Sequence, residues 1–216
     1  MCGIIGVDCK NTKQNLELIK NLFLQSKIRG LHATGMSYIK RDNLHTVKES
    51  CSANKFVEKY NMSHIFEGEE FIKLVGHCRY STSDIRFHQP IADEDISIVH
   101  NGIVTQELYE KWFNKFNLNC ETGNDSELIF RYFKEGCSIT NIQDYFKGIS
   151  FAILVLEKQG NLISYRNSLR PLWLVKRDVD KFYASTKNIL IRSGFKDNEI
   201  LKLDSIDYEE KQNRYM

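Results

Sequence analysis

The chain opens MCGIIGVD, and Cys2 is the first residue able to do covalent chemistry. Removal of the initiator methionine would leave Cys2 carrying both a thiol and a free α-amino group. A thiol with a pKa near ~8.5 is only partly thiolate at neutral pH. An α-amino group, with a pKa of about 7.7–8.0, is neutral often enough to take the thiol proton, directly or through a water. Nucleophile and general base then belong to one residue, as in the threonine–amine form of nucleophilic catalysis. Cys2 also reads as a small apolar side chain ahead of a strand.

Other residues compete for a chemical reading. A papain-type pair could be drawn from Cys2 or Cys78 and His77 or His100. His77 and Cys78 are neighbours in GHCRYST, however, and neighbours on a strand face opposite ways, so Cys78 reads as packing. His77, His88, His100 and a cysteine lack standard ligand spacing, so neither a metal nor a cofactor is expected. Asn101-Gly102 is the strongest local hairpin signal. Asp125, just before SELIF, has the place of a helix N-cap. Arg79 reads as a strand-end cation, and Arg29 as a cation at a helix C-terminus.

Such residues need elements to hold them. GIIGV is a short buried strand that pins Cys2 inside the fold. NTKQNLELIKNLFLQSKIRG puts Leu16, Ile19, Leu22 and Phe23 on one helical face, with Asn11 or Thr12 as N-cap and Gly30 at the end. GMSYIKR and HTVKES alternate as strands joined at Asp42-Asn43, and SANKFVEKY is helical or irregular. FIKLVGHCRYST is a strand running into a polar loop, SDIRFHQP. ISIVHNGIV reads as an apolar strand broken at Asn101-Gly102. TQELYEKWFNKF is a helix with Leu108, Trp112 and Phe116 on one side. NDSELIFRYFKEG is another, capped by Asn124 or Asp125, and SITNIQDYFKG a third. The strands ISFAILVLEK, NLISYR, PLWLVKR, KFYAST and EILKL follow, then a polar tail. Strands at both ends flank a helical middle, which is α+β in class.

Composition narrows the possibilities. At 216 residues the chain is one domain or at most two. Its net charge of +2 mixes both signs, with no basic stripe for nucleic acid. No apolar run approaches the ~18 residues of a membrane span, and no signal peptide is legible. The six scattered cysteines are therefore expected as free thiols in a cytoplasmic protein.

MCGIIGV, RGLHATGMS, GHCRYST, QP, HNGIV, NDSEL, KGISFAILVL, LRPLWL and YASTKNIL occur in that order. The series resembles the glutamine-hydrolysing domain of class II glutamine amidotransferases, within the N-terminal-nucleophile hydrolases. It is most similar to that domain in glutamine amidophosphoribosyltransferases and asparagine synthetases. The resemblance implies a four-layer αββα sandwich of two mainly antiparallel sheets. It makes Cys2 the nucleophile and Asn101 and Gly102 the oxyanion donors. It gives Arg79 the substrate α-carboxylate, Asp125 the α-ammonium, Thr82 a hydroxyl near the substrate, and Arg29 a place near the nucleophile. Residues from Ser83 to Gln89 match a mobile glutamine loop. Asn167-Ser168 replaces the usual Asp-Pro-type pair and is expected to be structural.

The implied activity is hydrolysis of L-glutamine to glutamate and ammonia through a Cys2 thioester. The expected organisation is one amidotransferase domain over residues 2–204 and a polar tail over 205–216. With no synthase domain and no P-loop in the sequence, a separate acceptor enzyme is the expected partner. Two alternatives stay open: a stand-alone amidohydrolase acting on a γ-glutamyl or other amide, and a non-catalytic glutamine-binding or scaffold protein. Phe87, Trp112 and Trp173 are candidate docking aromatics, although such residues are more often core.

Overall fold

The computed structural model describes residues 2–80, 88–138, 141–146, 150–204 and 206–207. β1 (Gly3–Lys10) leads into α1 (Lys13–Ser26). Thr12 caps α1, its side chain accepting the Asn15 N–H, as the capping rule anticipates. A 3-10 turn over Lys27–Arg29 and Gly30 connect to β2 (Ala33–Lys40) and β3 (Asn43–Glu49). Arg41 and Asp42, both at positive φ, make the hairpin turn, one residue earlier than the sequence suggests. α2 (Ala53–Lys59) and α3 (Met62–Ile65) precede β4 (Phe71–Arg79). β5 (Ile91–Ala92) and β6 (Ile96–Ile103) follow. Then come α4 (Trp112–Phe116), α5 (Ser126–Lys134) and α6 (Ile142–Tyr145). β7 (Ser150–Glu157), β8 (Leu162–Arg166), β9 (Trp173–Arg177) and β10 (Asp180–Ala184) run in succession. α7 (Lys187–Ser193), β11 (Ile200–Lys202) and β12 (Ile206–Asp207) complete the order.

These strands form two sheets. The seven-stranded sheet has the order β11-β9-β10-β1-β4-β2-β3, and the five-stranded sheet β12-β8-β7-β6-β5. The ladders within both are antiparallel. Alternation along the strands sends successive side chains into different layers. Ile5, Val7, Leu74 and Phe182 face outward, beneath Ile19, Leu22, Phe23, Phe56 and Leu190 of the first helical layer. Ile4, Val75, Val99, Leu154 and Tyr183 fill the space between the sheets. Ile98, Ile153 and Val155 face the second helical layer through Trp112, Leu128, Ile129 and Phe146. The result is helix, sheet, sheet, helix, the four layers expected.

Several local expectations are corrected. Asn101-Gly102 is no hairpin turn, and β6 runs through it unbroken. Asn101 lies opposite Ala152 and Gly102 opposite Phe151 in β7. The glycine answers to close approach, since a Cβ there would lie 1.8 Å from the Ser150 carbonyl oxygen. The TQELYEKWFNKF helix shrinks to a 3-10 turn and five α-helical residues. Leu108 is exposed, while Trp112 and Phe116 are buried. α7, unmarked in the sequence reading, starts at Thr186, whose side chain caps it. Within the expected tail, β12 pairs with β8.

Candidate active site

Cys2 stands at the head of β1, two residues before the inward-facing Ile4, so the strand repeat turns it toward the space between the sheets. It is half-buried and lines a cavity of about 500 Å³. Arg79, Asn101, Gly102 and Asp125 line the same cavity. Cys2 and Arg79 come from the seven-stranded sheet. The other three come from the five-stranded sheet and the helix packed on it.

Arg79 ends β4, on the same strand face as Val75 and His77. Gly30 lets the chain pass tightly beneath it, because a Cβ at Gly30 would sit 2.1 Å from the Arg79 carbonyl carbon. The His32 N–H then donates to the Arg79 carbonyl at 3.0 Å. Arg29 holds the nucleophile's backbone, its Nε donating to the Cys2 carbonyl at 3.4 Å. Burial pushes the Arg29 guanidinium below its ordinary pKa, with Cys2 opposing that shift and Arg170 adding to it. Thr82 and the loop as far as Phe87 lie outside the described residues.

β6 supplies two donors. Asn101 is 2% exposed, and its Nδ2 has no hydrogen-bond partner among the described residues. The even-numbered amides of β6 face away from β7. The His100 N–H donates to Gln89 Oε1 at 2.6 Å, and the Val104 N–H donates to Asp125 Oδ2 at 2.6 Å. The same alternation places the Gly102 amide on this edge, between those two.

Asp125 is not an N-cap by side chain. It has helical dihedrals (φ −57, ψ −22) and makes no capping bond. Asn124 Oδ1 instead accepts the Ser126 N–H at 3.1 Å. The Asp125 carboxylate is tied to the extension of β6, which holds it against the cavity.

A polar ring locks this side together. Gln89 Nε2 donates to Ser126 Oγ at 3.0 Å, and Ser126 Oγ lies 2.8 Å from His100 Nδ1. With the His100 amide on Gln89 Oε1, the ring ties the Gln-Pro turn, β6 and α5 into one unit. His100 Nε2 points toward the Ser150 carbonyl without closing a full hydrogen bond. Burial, outweighing nearby Asp125, holds His100 down to about 4.

His77, Ser126 and Arg170, which have no role in the sequence analysis, also line the cavity, as does Gln89, the last residue of the expected glutamine loop, which is buried and hydrogen-bonded. GHCRYST, QP, NDSEL and LRPLWL each carry one of them. The usable signal was a polar residue at an inward position of an apolar strand, as with His77. Among the described residues no Cys–His pair forms. Cys78 faces the outer helical layer, its thiol toward the Phe23 carbonyl, and burial pushes it up to about 12. Burial lowers His77 to about 3, so no imidazolium stands beside Cys2 at neutral pH. Trp112 is buried and Trp173 half-buried against the core, so both serve packing. Asn167 is a brace, as expected, with Oδ1 accepting the Phe151 and Leu169 amides at 3.2 Å.

No protein-family model matches the chain, and no curated protein matches it in sequence. Solved structures do match it in shape. One is the glutamine phosphoribosylpyrophosphate amidotransferase of B. subtilis, complexed with ADP and GMP. It aligns over 98% of this chain and 50% of its own, with a TM-score of 0.68 and 17% identity. Another, described as the allosteric regulatory enzyme of purine biosynthesis, aligns over 94% of this chain and 45% of its own (TM-score 0.64, 18% identity). This chain has the amidotransferase fold. A glutamine aminotransferase class-II domain protein from Silicibacter pomeroyi matches at a TM-score of 0.56 and 9% identity, over 95% of this chain and 99% of its own. The chain thus spans about half the length of the first two and nearly all of the third. Among the described residues of this amidotransferase fold, no helix is long and apolar enough to cross a membrane.

Proposed function

We propose that this protein hydrolyses the side-chain amide of L-glutamine, through a thioester on Cys2, to glutamate and ammonia. One observation carries the reading. A half-buried thiol, a buried carboxamide donor without a partner among the described residues, and the side chains of Arg79 and Asp125 line a single cavity, with Arg170 and Glu107 also on its wall. Free glutamine carries an anionic carboxylate and a cationic ammonium at one end and a neutral amide at the other. Arg79 suits the carboxylate through a bidentate guanidinium, and Asp125 suits the ammonium.

In this reading the Cys2 α-amino group takes the thiol proton and sulfur attacks the amide carbon. The negative oxygen is held by Asn101 Nδ2 and the Gly102 N–H, each donor worth about 2.7–4 kcal/mol in such sites. The C–N bond breaks and ammonia leaves with the proton held by the α-amino group. Water then cleaves the thioester. The mechanism requires Cys2 to be the first residue of the active chain, since an amide at that nitrogen is no base.

The ammonia passes, in the same proposal, to a separate acceptor enzyme. Tyr80 and Ile103, 53% and 44% exposed on the cavity lining, supply an apolar rim for it. The test is direct. Purified protein is given L-glutamine, glutamate is measured, and intact mass reports whether Met1 is lost. A glutamine-like diazoketone should alkylate Cys2 ahead of the other five cysteines, and Cys2→Ala should release no glutamate. Turnover that survives Cys2→Ala, or full activity in a chain keeping Met1, overturns the reading.

A further inference from the structure

Three histidines are buried near the cavity, and two of them are spoken for. His88 Nε2 lies 2.9 Å from Ser50 Oγ, and His100 Nδ1 lies 2.8 Å from Ser126 Oγ. His77 is the exception. It is 1% exposed and lines the cavity with Cys2, yet neither ring nitrogen has a hydrogen-bond partner among the described residues. A buried polar side chain with two unmet groups is costly, and a fold keeps one only for a reason. The strand supplies no local reason. Ile4 and Gly35 stand opposite His77 on the two neighbouring strands, and neither offers a polar side chain.

We infer that His77 is a positioning residue for the second half of the reaction, holding the water that cleaves the thioester. The inference rests on the proposed glutaminase reading. A neutral imidazole has one donor and one acceptor nitrogen. Burial keeps His77 in that neutral form, so it is a poor base but a fixed hydrogen-bond partner. The water gives one hydrogen bond to the unprotonated ring nitrogen. Its other proton goes to the Cys2 α-amino group as its oxygen bonds to the acyl carbon. The C–S bond then breaks, the sulfur regains the proton from the amino group, and glutamate leaves.

His77→Leu separates this from a structural role. Leucine fills similar volume and removes the unmet polar groups, so Tm should rise while turnover falls roughly 10–100-fold, the scale of a misplaced reactant. Rapid-quench intact mass should show glutamyl-Cys2 accumulating in the variant and not in the wild type. Hydroxylamine, a nucleophile needing no such holder, should restore product release as γ-glutamyl hydroxamate. Wild-type turnover in His77→Leu overturns the inference. So does slower turnover with no acyl-enzyme and no hydroxylamine rescue. Should the leucine variant fail to fold, His77→Asn decides by the same two readouts. A wild type never acylated by glutamine overturns the glutaminase reading as well. A wild type that acylates, with His77→Leu unaffected, overturns this inference alone.

Discussion

Asn101 and Asp125 lie on one cavity, but their side chains stand in different states. Asn101 Nδ2 is buried without a partner among the described residues, whereas Asp125 already accepts the Val104 amide. A donor with no ground-state partner gains its bond as negative charge develops on the substrate oxygen. Asn101→Ala should therefore lower kcat on the order of 10²–10³-fold and leave KM nearly unchanged. Asp125→Asn and Arg79→Lys should act the other way, raising KM for glutamine with a smaller change in kcat. Steady-state kinetics on the three variants check the split. A change confined to KM in Asn101→Ala removes it from the oxyanion role. At this scale the sequence was informative about identity and poor about geometry. The order of Cys2, Arg79, Asn101, Gly102 and Asp125 matches a known series, and the structure brings all five to one cavity. His77 stands out in sequence only as a polar residue at an inward strand position, because an unmet hydrogen bond has no sequence signature.

Strong local signals for elements failed where tertiary contacts overrode them. Asn-Gly is a turn by propensity, yet β7 pairs with both residues and β6 continues. An aspartate before SELIF is a cap by propensity, yet an amide of the neighbouring strand takes its carboxylate. The first helix was legible, because Ile19, Leu22 and Phe23 repeat on one face and all three are buried. The last helix was not, because KNILIRS is two turns long and its Ile-Leu-Ile core also suits a strand. Two variants test how far these elements support the site. Gly102→Ala sets a methyl against the Ser150 carbonyl and should cost about 1–3 kcal/mol of stability, with activity lost as β6 shifts. Ser126→Ala strands Gln89 Nε2 and His100 Nδ1 and should cost about 1–3 kcal/mol. Urea denaturation reads both, and an unchanged midpoint in Ser126→Ala would mean the ring does not bear on stability.

For the whole molecule, the buried histidines set an acid limit. Folding lowers His77 from an ordinary 6.5 to about 3 and His100 to about 4, in each case chiefly through burial. Between those values and 6.5 the unfolded chain binds protons that the folded chain does not. Stability from this source is therefore complete above about pH 6.5 and falls as pH drops through 6 and 5. Each histidine contributes up to about 1.4 kcal/mol per pH unit in that window. Urea midpoints between pH 4.5 and 7.5 should show this slope, and His77→Leu should remove about half of the histidine contribution. A variant with the wild-type slope would mean that His77 titrates normally in the folded protein.

β1 lies between β4 and β10, with Ile5 facing Gly76 on one side and Ala184 on the other. One of those neighbours, β4, ends at Arg79 in the sequence, and the other, β10, begins only at Asp180. The place of β1 in the sheet cannot be completed until β10 has been synthesised, and closing so long a loop is a slow step. Until then the strand that follows Cys2 has only β4 to pair with. A chain cut short before β10 would carry the Cys2 thiol on a half-paired strand, and on the proposed reading it should not yet hydrolyse glutamine.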